Sequence, residues 1–289
     1  MATEPNRTVV VTGASTGIGF ACVKVLSGSG WRVFAGVRRR EDAERLRSAF
    51  GEAVRPLVVD VTDAGAVAEA AREVGEALGG KTLGGLVNNA GIAVTGPLLH
   101  LKVADFERQL AVNLTGPLIV TQAFAPLLGA DRSRSGPPGR IVMMSSVGGL
   151  NAFPFMGAYS ASKFGLEGLS ESLRRELTLF GIDVVLINPG AIATPIWDKS
   201  DGMDAEFADT PYAPAIARAK GAMIAMGKSG LKPERIGETV RIALTAARPK
   251  ARYIVTSTPV QGFLARALPK RMVDGLIAGR LGLAQRRER

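Results

Sequence analysis

Cysteine and histidine are almost missing from this chain: its 289 residues hold one of each, Cys22 and His100. A lone cysteine permits no disulfide within the chain, and no Cys/His spacing of a zinc site is present. Cys22 lies in an apolar helical pattern, where a small buried core thiol is expected. His100 is read as a surface or loop histidine and is given no role. No uninterrupted apolar run approaches the ~18 residues needed to span a bilayer. No signal peptide is visible, because residues 1–7 are polar and a strand-like run follows directly, so a cytoplasmic protein is expected. Internal repeats and low-complexity linkers are also missing.

Acidic residues are scarce beside basic ones, 26 against 36, a formal net charge of +10. That balance can point to nucleic acid or an anionic membrane. The excess is uneven, however: residues 261–289 carry seven Lys/Arg and two acids, a net +5 that is half of the total. No recognised nucleic-acid module or aromatic-basic interleaving occurs, so no nucleic-acid partner is expected.

What remains is the composition of a soluble globular enzyme, 46% hydrophobic and 21% charged with 35 glycines. The length suits one large domain with a well-buried core. Apolar runs alternate with helical patterns, the signature of repeated βα units and a parallel sheet. The runs predict strands over Thr8–Thr12, Arg32–Val37, Val54–Asp60, Gly85–Asn88, Arg140–Ser145, Asp183–Asn188 and Arg252–Thr256. Helices are predicted over Ile18–Ser27, Glu41–Phe50, Ala64–Leu78, Val103–Leu128 and Met156–Phe180, with a surface loop at Asp131–Gly139. The reading is one domain over residues 1–260, with a lid at about 193–231, followed by a basic extension over 261–289.

Thr12-Gly13-Ala14-Ser15-Thr16-Gly17-Ile18-Gly19 follows the first strand and opens the first helix. Glycines there permit a tight turn and close backbone approach, and a helix N-terminus offers N–H groups and a positive dipole end to a pyrophosphate. The spacing is G-x-x-x-G-x-G rather than the G-x-G-x-x-G of the common dinucleotide fingerprint. On this motif alone, a glycine-rich turn without a ligand stays open.

Tyr159-Ser160-Ala161-Ser162-Lys163 sets a phenol and an ammonium four residues apart, on one face if the segment is helical. A free tyrosine has a pKa of about 10, and a neighbouring cation favours its phenolate. The pair suits reversible proton transfer to an alcohol or carbonyl oxygen. Ser146 lies thirteen residues upstream in Met144-Ser145-Ser146, where strand alternation aims the two hydroxyls differently.

These segments, with Asp60-Val61, Asn88-Asn89-Ala90-Gly91, Val112-Asn113-Leu114-Thr115-Gly116 and Pro189-Gly190 before Thr194, resemble the short-chain dehydrogenase/reductase family in order and spacing from about residue 7 to 257. The resemblance implies an α/β fold: a three-layer Rossmann architecture, doubly wound, with a seven-stranded parallel sheet and helices on both faces. It implies an oxidoreductase using a nicotinamide cofactor. Tyr159 would be the proton donor or acceptor. Lys163 would lower the tyrosine pKa and could hold the cofactor ribose. Ser146, favoured over Ser145 by the resemblance, would orient the substrate oxygen. Asn113 has poor propensity for its helical pattern. The resemblance makes it part of a water-and-lysine relay; the alternative is a side chain bonding its own backbone. The cofactor would lie against Gly13, Ser15, Thr16, Gly17, Ile18, Gly19, Asp60, Val61, Asn89, Ala90, Gly91, Tyr159, Lys163, Pro189, Gly190, Ile192 and Thr194, with Asn88 a strut of the sheet. Thr194 reads equally well as a helix N-cap before Pro195.

NAD-preferring relatives end the second strand with an acid that bonds the adenosine ribose. Val37 stands there instead, followed by Arg38-Arg39-Arg40. A missing carboxylate removes repulsion and a guanidinium pairs with a 2′-phosphate, so NADP(H) is expected, with Arg38 as its ligand. Apolar residues over 149–156 and in the lid, among them Ile196, Trp197, Phe207 and Met223, suit a lipophilic alcohol or carbonyl substrate. The segments around Ser146 and Tyr159 are similar to those of hydroxysteroid and retinol dehydrogenases in the family. In the extension Leu264, Leu268, Met272 and Leu276 recur every four residues with Arg266, Lys270 and Arg271 between them. Such a helix can close the pocket, pack on a partner or lie on a membrane. Helices 103–128 and 156–180 resemble those that pair subunits in relatives, so a homodimer or homotetramer is expected. The rival reading is a catalytically silent dinucleotide-binding regulatory or interaction protein.

Overall fold

Seven parallel strands form one sheet in the order β3-β2-β1-β4-β5-β6-β7. They are β1 (Thr8–Val11), β2 (Arg32–Val37), β3 (Val54–Val58), β4 (Gly85–Asn88), β5 (Arg140–Met144), β6 (Asp183–Pro189) and β7 (Arg252–Val255). The structure is a computed structural model and describes residues 6–194, 203–258 and 267–284. Each predicted strand forms within two residues of its expected bounds.

Both faces of the sheet are covered, so its strands read as continuous apolar runs while their residues alternate between two cores. Val9 and Val11, Val142 and Met144, and Val185 and Ile187 point to one side, against α1 (Gly17–Gly28), α2 (Arg40–Phe50) and α9 (Pro233–Thr245). Cys22 is buried in this layer, and burial pushes its thiol up to about 12. Val10, Ile141 and Met143, and Val184 and Leu186 point to the other side, against α3 (Ala64–Leu78), α5 (Gly116–Phe124) and α6 (Gly157–Glu176). The strand order reverses between β1 and β4, which opens a crevice at the carboxyl ends of those strands.

The helix expected over 103–128 is interrupted. α4 (Val103–Leu110) runs into a π-helical turn, Ala111–Thr115, before α5, and a second irregular turn follows at Pro126–Ala130. Proline is the physical cause: Pro117 has no N–H to give the Asn113 carbonyl four residues earlier, so the regular ladder cannot continue through this point. Gly129, at φ 117°, ends the segment. Helix α6 stops earlier than expected and tightens into a 3₁₀ turn, Leu177–Phe180, before the left-handed Gly181.

Beyond β6 come α7 (Met203–Glu206) and α8 (Ala213–Lys228), and near the C-terminus α10 (Lys270–Leu281). Among the described residues, no helix is long and apolar enough to cross a membrane. The tail stripe does not behave as its spacing suggests. Met272 and Leu276 are more than half exposed, whereas Leu281 and Leu283 pack on a cluster built from Phe155, Met203, Phe207 and Ile216. Arg218 on α8 donates to the Leu281 carbonyl and secures that end. Leu264 and Arg266 lie outside the described residues.

Candidate active site

The glycine turn is shaped by what a side chain would strike. Gly13 and Gly17 have φ of 64° and 56°, in the left-handed region that favours glycine. A Cβ on Gly13 would come within 2.6 Å of Ala90 Cα, and one on Gly19 would run into the Gly13 carbonyl. Asn89 stitches the two loops together: its Nδ2 donates to the carbonyls of Thr12 (2.9 Å) and Gly13 (3.0 Å). Thr12 Oγ1 accepts from the backbone N–H groups of Asn89 and Ala90. Thr16 occupies the N-cap of α1 without a side-chain capping bond, and no acid stands in the first turn. The result is a cradle of backbone at a helix N-terminus, with Ile18 packed on the core beneath it.

The other predicted positions gather at the same edge. Asn88 is buried and ties β4 to α5 through Thr121 Oγ1 (3.0 Å). Asp60 accepts from the backbone and hydroxyl of Thr62. Burial raises its pKa, but those bonds and the charge of Arg38 outweigh it and hold the carboxyl below its ordinary value. Val61 packs into the core beside Gly116. Val37 is also a core residue, which leaves Arg38 as the first exposed side chain after β2. Gly190 follows Pro189, where an added Cβ would come within 2.5 Å of Thr256 Oγ1, Ile192 is buried, and Thr194 lies over Gly17. Pro195 lies outside the described residues, so the N-cap reading of Thr194 rests on the sequence. Arg45 was not anticipated: from α2 it donates to the Ser15 carbonyl (2.6 Å) and pairs with Asp42 (2.8 Å). Its only sequence signal is a position one turn and a half into a helix rich in charge.

Ser146, Tyr159 and Lys163 meet beyond the end of β5, and Asn113 reaches the same helix through Ser162. The pleat separates the two serines, as alternation requires: Ser145 is buried towards Glu167, while Ser146 faces Tyr159 and their side chains are hydrogen-bonded. Ser146 Oγ also accepts from Gly148 N–H (3.0 Å). Lys163 is buried, its Nζ donating to the Met144 carbonyl (2.7 Å) and standing 5.8 Å from the Tyr159 ring centroid. The expected depression of the tyrosine pKa by this lysine is not what the fold produces. Burial raises Tyr159 above its ordinary value against the Ser146 bond, and burial lowers Lys163 to about 8 against the charge of Glu167.

Asn113 sits in the π turn and is fully buried. Its side chain does not bond its own helix. It grips Ile92 at both ends, Oδ1 accepting from the N–H (2.9 Å) and Nδ2 donating to the carbonyl (3.0 Å), and Nδ2 also reaches Ser162 Oγ (3.2 Å). Gln109, one turn earlier, reinforces the same loop through Val94 N–H and the Ile92 carbonyl. Neither Gln109 nor Glu167 was expected; a buried polar residue at helical spacing from a site residue is the signal that could have found them.

Ahead of α6, which carries Tyr159, Phe155 joins Met203, Phe207 and Ile216 in an apolar wall, with Phe155 edge-on to Tyr212. Phe155 has φ 64°, a strained conformation for a non-glycine residue, and its carbonyl accepts from Gly96 N–H (2.8 Å). Met223 is buried on α8. Ile196 and Trp197 lie outside the described residues. His100 is exposed, its ring edge-on to Tyr212.

A fold of this order with this edge is that of a Rossmann-type oxidoreductase. A family model described as short chain dehydrogenase matches residues 7–204. The chain belongs to the short-chain dehydrogenase family. It is 37% identical over 269 residues to the NADPH-dependent 3-dehydrocapnine reductase of Ornithobacterium rhinotracheale, covering 93% of this chain and 95% of that protein. It is 32% identical over 287 residues to retinol dehydrogenase 16 of Mus musculus, covering 94% and 88%. A metagenomic short-chain oxidoreductase solved in complex with NADP superposes with a TM-score of 0.66 at 29% identity, covering 87% of this chain and 96% of that one.

The tight contact between the two loops can be tested directly. Gly19→Ala should destabilise the protein by about 1–3 kcal/mol through overpacking. It should also weaken dinucleotide binding, read by thermal melts with and without NADPH; a variant that melts and binds like the wild type would contradict the packing argument.

Proposed function

We propose that this chain is an NADP(H)-dependent oxidoreductase that interconverts a lipophilic alcohol and its ketone or aldehyde. The observation that carries the reading is the meeting of Ser146, Tyr159 and Lys163 beyond β5, in a fold whose first helix opens on a glycine turn too tight for side chains. Gly13, Ser15, Thr16, Gly17, Ile18 and Gly19 would hold the dinucleotide phosphates, Asp60 and Val61 its adenine, and Asn89, Ala90 and Gly91 its middle. Pro189, Gly190, Ile192 and Thr194 would flank the nicotinamide. When bound, that cofactor supplies or accepts a hydride.

The protein side chains handle the proton. Ser146 Oγ and the Tyr159 hydroxyl present two hydrogen-bonding groups to one substrate oxygen. Tyr159 gives its proton to a carbonyl oxygen in reduction and takes it from an alcohol in oxidation. Its raised pKa keeps it protonated through the neutral range, the form that reduction requires. Lys163, charged below about pH 8, stabilises the phenolate left behind and can reach the ribose. Because the Asn113 amide is occupied by Ile92 and Ser162, the group it can offer a water-and-lysine relay is its backbone carbonyl, for which Pro117 has no N–H.

Arg38, exposed where an acid would otherwise bond the ribose, supports NADP(H), as does the name of the NADPH-dependent 3-dehydrocapnine reductase among the relatives. The apolar wall of Phe155, Met203, Phe207 and Ile216 supports a lipophilic substrate, and the retinol dehydrogenase likeness agrees. We read residues 1–260 as the catalytic domain and the extension as a strap on its lid, since Leu281 and Leu283 pack on that wall. Val103 on α4 and Phe164 on α6 stay exposed, which supports pairing of subunits through these helices.

Three outcomes follow. Across a panel of retinoid, steroid and aliphatic carbonyls, NADPH oxidation should exceed NADH oxidation in kcat/KM, and Arg38→Ala should cost about tenfold or more with NADPH alone. A wild-type preference for NADH would end the cofactor reading. Tyr159→Phe should lose about a thousandfold in turnover while still binding NADPH. The pH profile for reduction should fall above about 8, as Lys163 loses its proton while Tyr159 keeps its own; a flat profile to pH 9.5 would contradict the role of the ammonium.

A further inference from the structure

We propose that Glu167 is a positioning residue of this site, holding the end of β5 through Ser145 and Asn188 and serving as the counter-charge of Lys163. The inference rests on the reading of Tyr159 and Lys163 as the proton-transfer pair. Glu167 stands one helical turn after Lys163 on α6, so both project from the same face. It is almost fully buried, and one of its two oxygens is turned towards the strand end that carries the site. Its Oε1 accepts from Ser145 Oγ (2.5 Å) and from Asn188 Nδ2 (2.6 Å), and its Oε2 pairs with Arg252 (2.5 Å).

The consequence is a grip on three consecutive residues. The Met144 carbonyl takes the Lys163 ammonium, the Ser145 hydroxyl is held by Glu167, and the Ser146 carbonyl accepts from the same Asn188 amide that reaches Glu167 (3.0 Å). Gly149 closes the arrangement: a Cβ there would lie 2.9 Å from Ser145 Oγ and 3.0 Å from the Lys163 carbonyl. The Ser146 hydroxyl therefore emerges from a backbone fixed on both sides. A plain Glu–Arg staple between α6 and β7 could be replaced by apolar side chains at little cost. It would not need an oxygen shared between the strand that carries Ser146 and its neighbour β6.

Charge adds to position. The charged groups around this carboxylate are Lys163 and Glu171 on its own helix and Arg252 on β7, which stands 3.8 Å from Glu171; β5 and β6 face it with the neutral Ser145 and Asn188. Burial lowers the pKa of Lys163 to about 8, and the charge of Glu167 opposes that shift. Without the carboxylate, the ammonium would be neutral over more of the working range.

The test is the pH profile of carbonyl reduction by the full chain with NADPH. Glu167→Gln keeps the shape and an acceptor oxygen but removes the charge. Its kcat/KM should fall about tenfold relative to wild type at about pH 8.5 yet stay within about threefold at about pH 6.5. Glu167→Asp, which keeps the charge, should retain the wild-type alkaline limb. The double variant Glu167→Gln/Arg252→Gln removes the stranded guanidinium and should show the same displaced limb if the single variant folds poorly. A uniform loss at all pH values, or a limb that overlays the wild type in both variants, would overturn the proposal and leave Glu167 a structural staple. Failure of the underlying reading looks different: Tyr159→Phe would then turn over normally, whatever Glu167 does.

Discussion

The bond from the Lys163 ammonium to the Met144 carbonyl is the contact on which the arrangement turns. It joins the helix that carries the phenol to the strand that carries the serine. A buried ammonium is costly, and only a good acceptor together with a nearby carboxylate makes it tolerable. The carbonyl comes from the last residue of β5, where the ladder ends and a backbone oxygen becomes available to a side chain. The sheet thus supplies the acceptor, the helix supplies the cation, and the register between them sets where Tyr159 stands.

The same economy of space explains the dinucleotide end. Gly13 and Gly19 bring the first βα turn against Asn89 and Ala90 so closely that any side chain would separate them. Asn89 then uses its amide to bind two carbonyls of that turn. One loop is held by absence of side chains and the other by a side chain, and the join falls at the switch point of the sheet, where Rossmann folds place their ligands. Position and chemistry are inseparable here, because the residues that shape the cradle also close the fold.

Much of this was legible in the sequence, for identifiable reasons. The strands of a doubly covered parallel sheet are continuous apolar runs, so all seven could be found without knowing their order. The Tyr159–Lys163 spacing is local and survives any tertiary detail. The break in the helix over 103–128 was written in Pro117 but is masked by strong apolar periodicity on either side. The direction of the tyrosine pKa was missed because sequence spacing conveys the neighbouring charge and not the desolvation, and desolvation dominates. Glu167, Asn188 and Arg252 come from three different elements, 21 residues or more apart, and nothing local announces that they meet.

On the proposed reading, substrate preference rests on a different kind of interaction from the chemistry. The proton-transfer groups are fixed by directional bonds, each with one geometry. The wall beyond them is built of Phe155, Met203, Phe207 and Ile216, which pack without direction and can yield to ligands of different outline. Leu281 and Leu283 lean on that wall from the far end of the chain, so its tightness depends on a helix with no other buried anchor. The strained backbone of Phe155 lies where the two regimes meet: its carbonyl is tied to Gly96, its ring belongs to the wall, and α6 begins two residues later. On the same reading, a change in the wall meets at Phe155 a backbone that is already constrained, so the outline of the substrate could vary while the proton-transfer geometry is held.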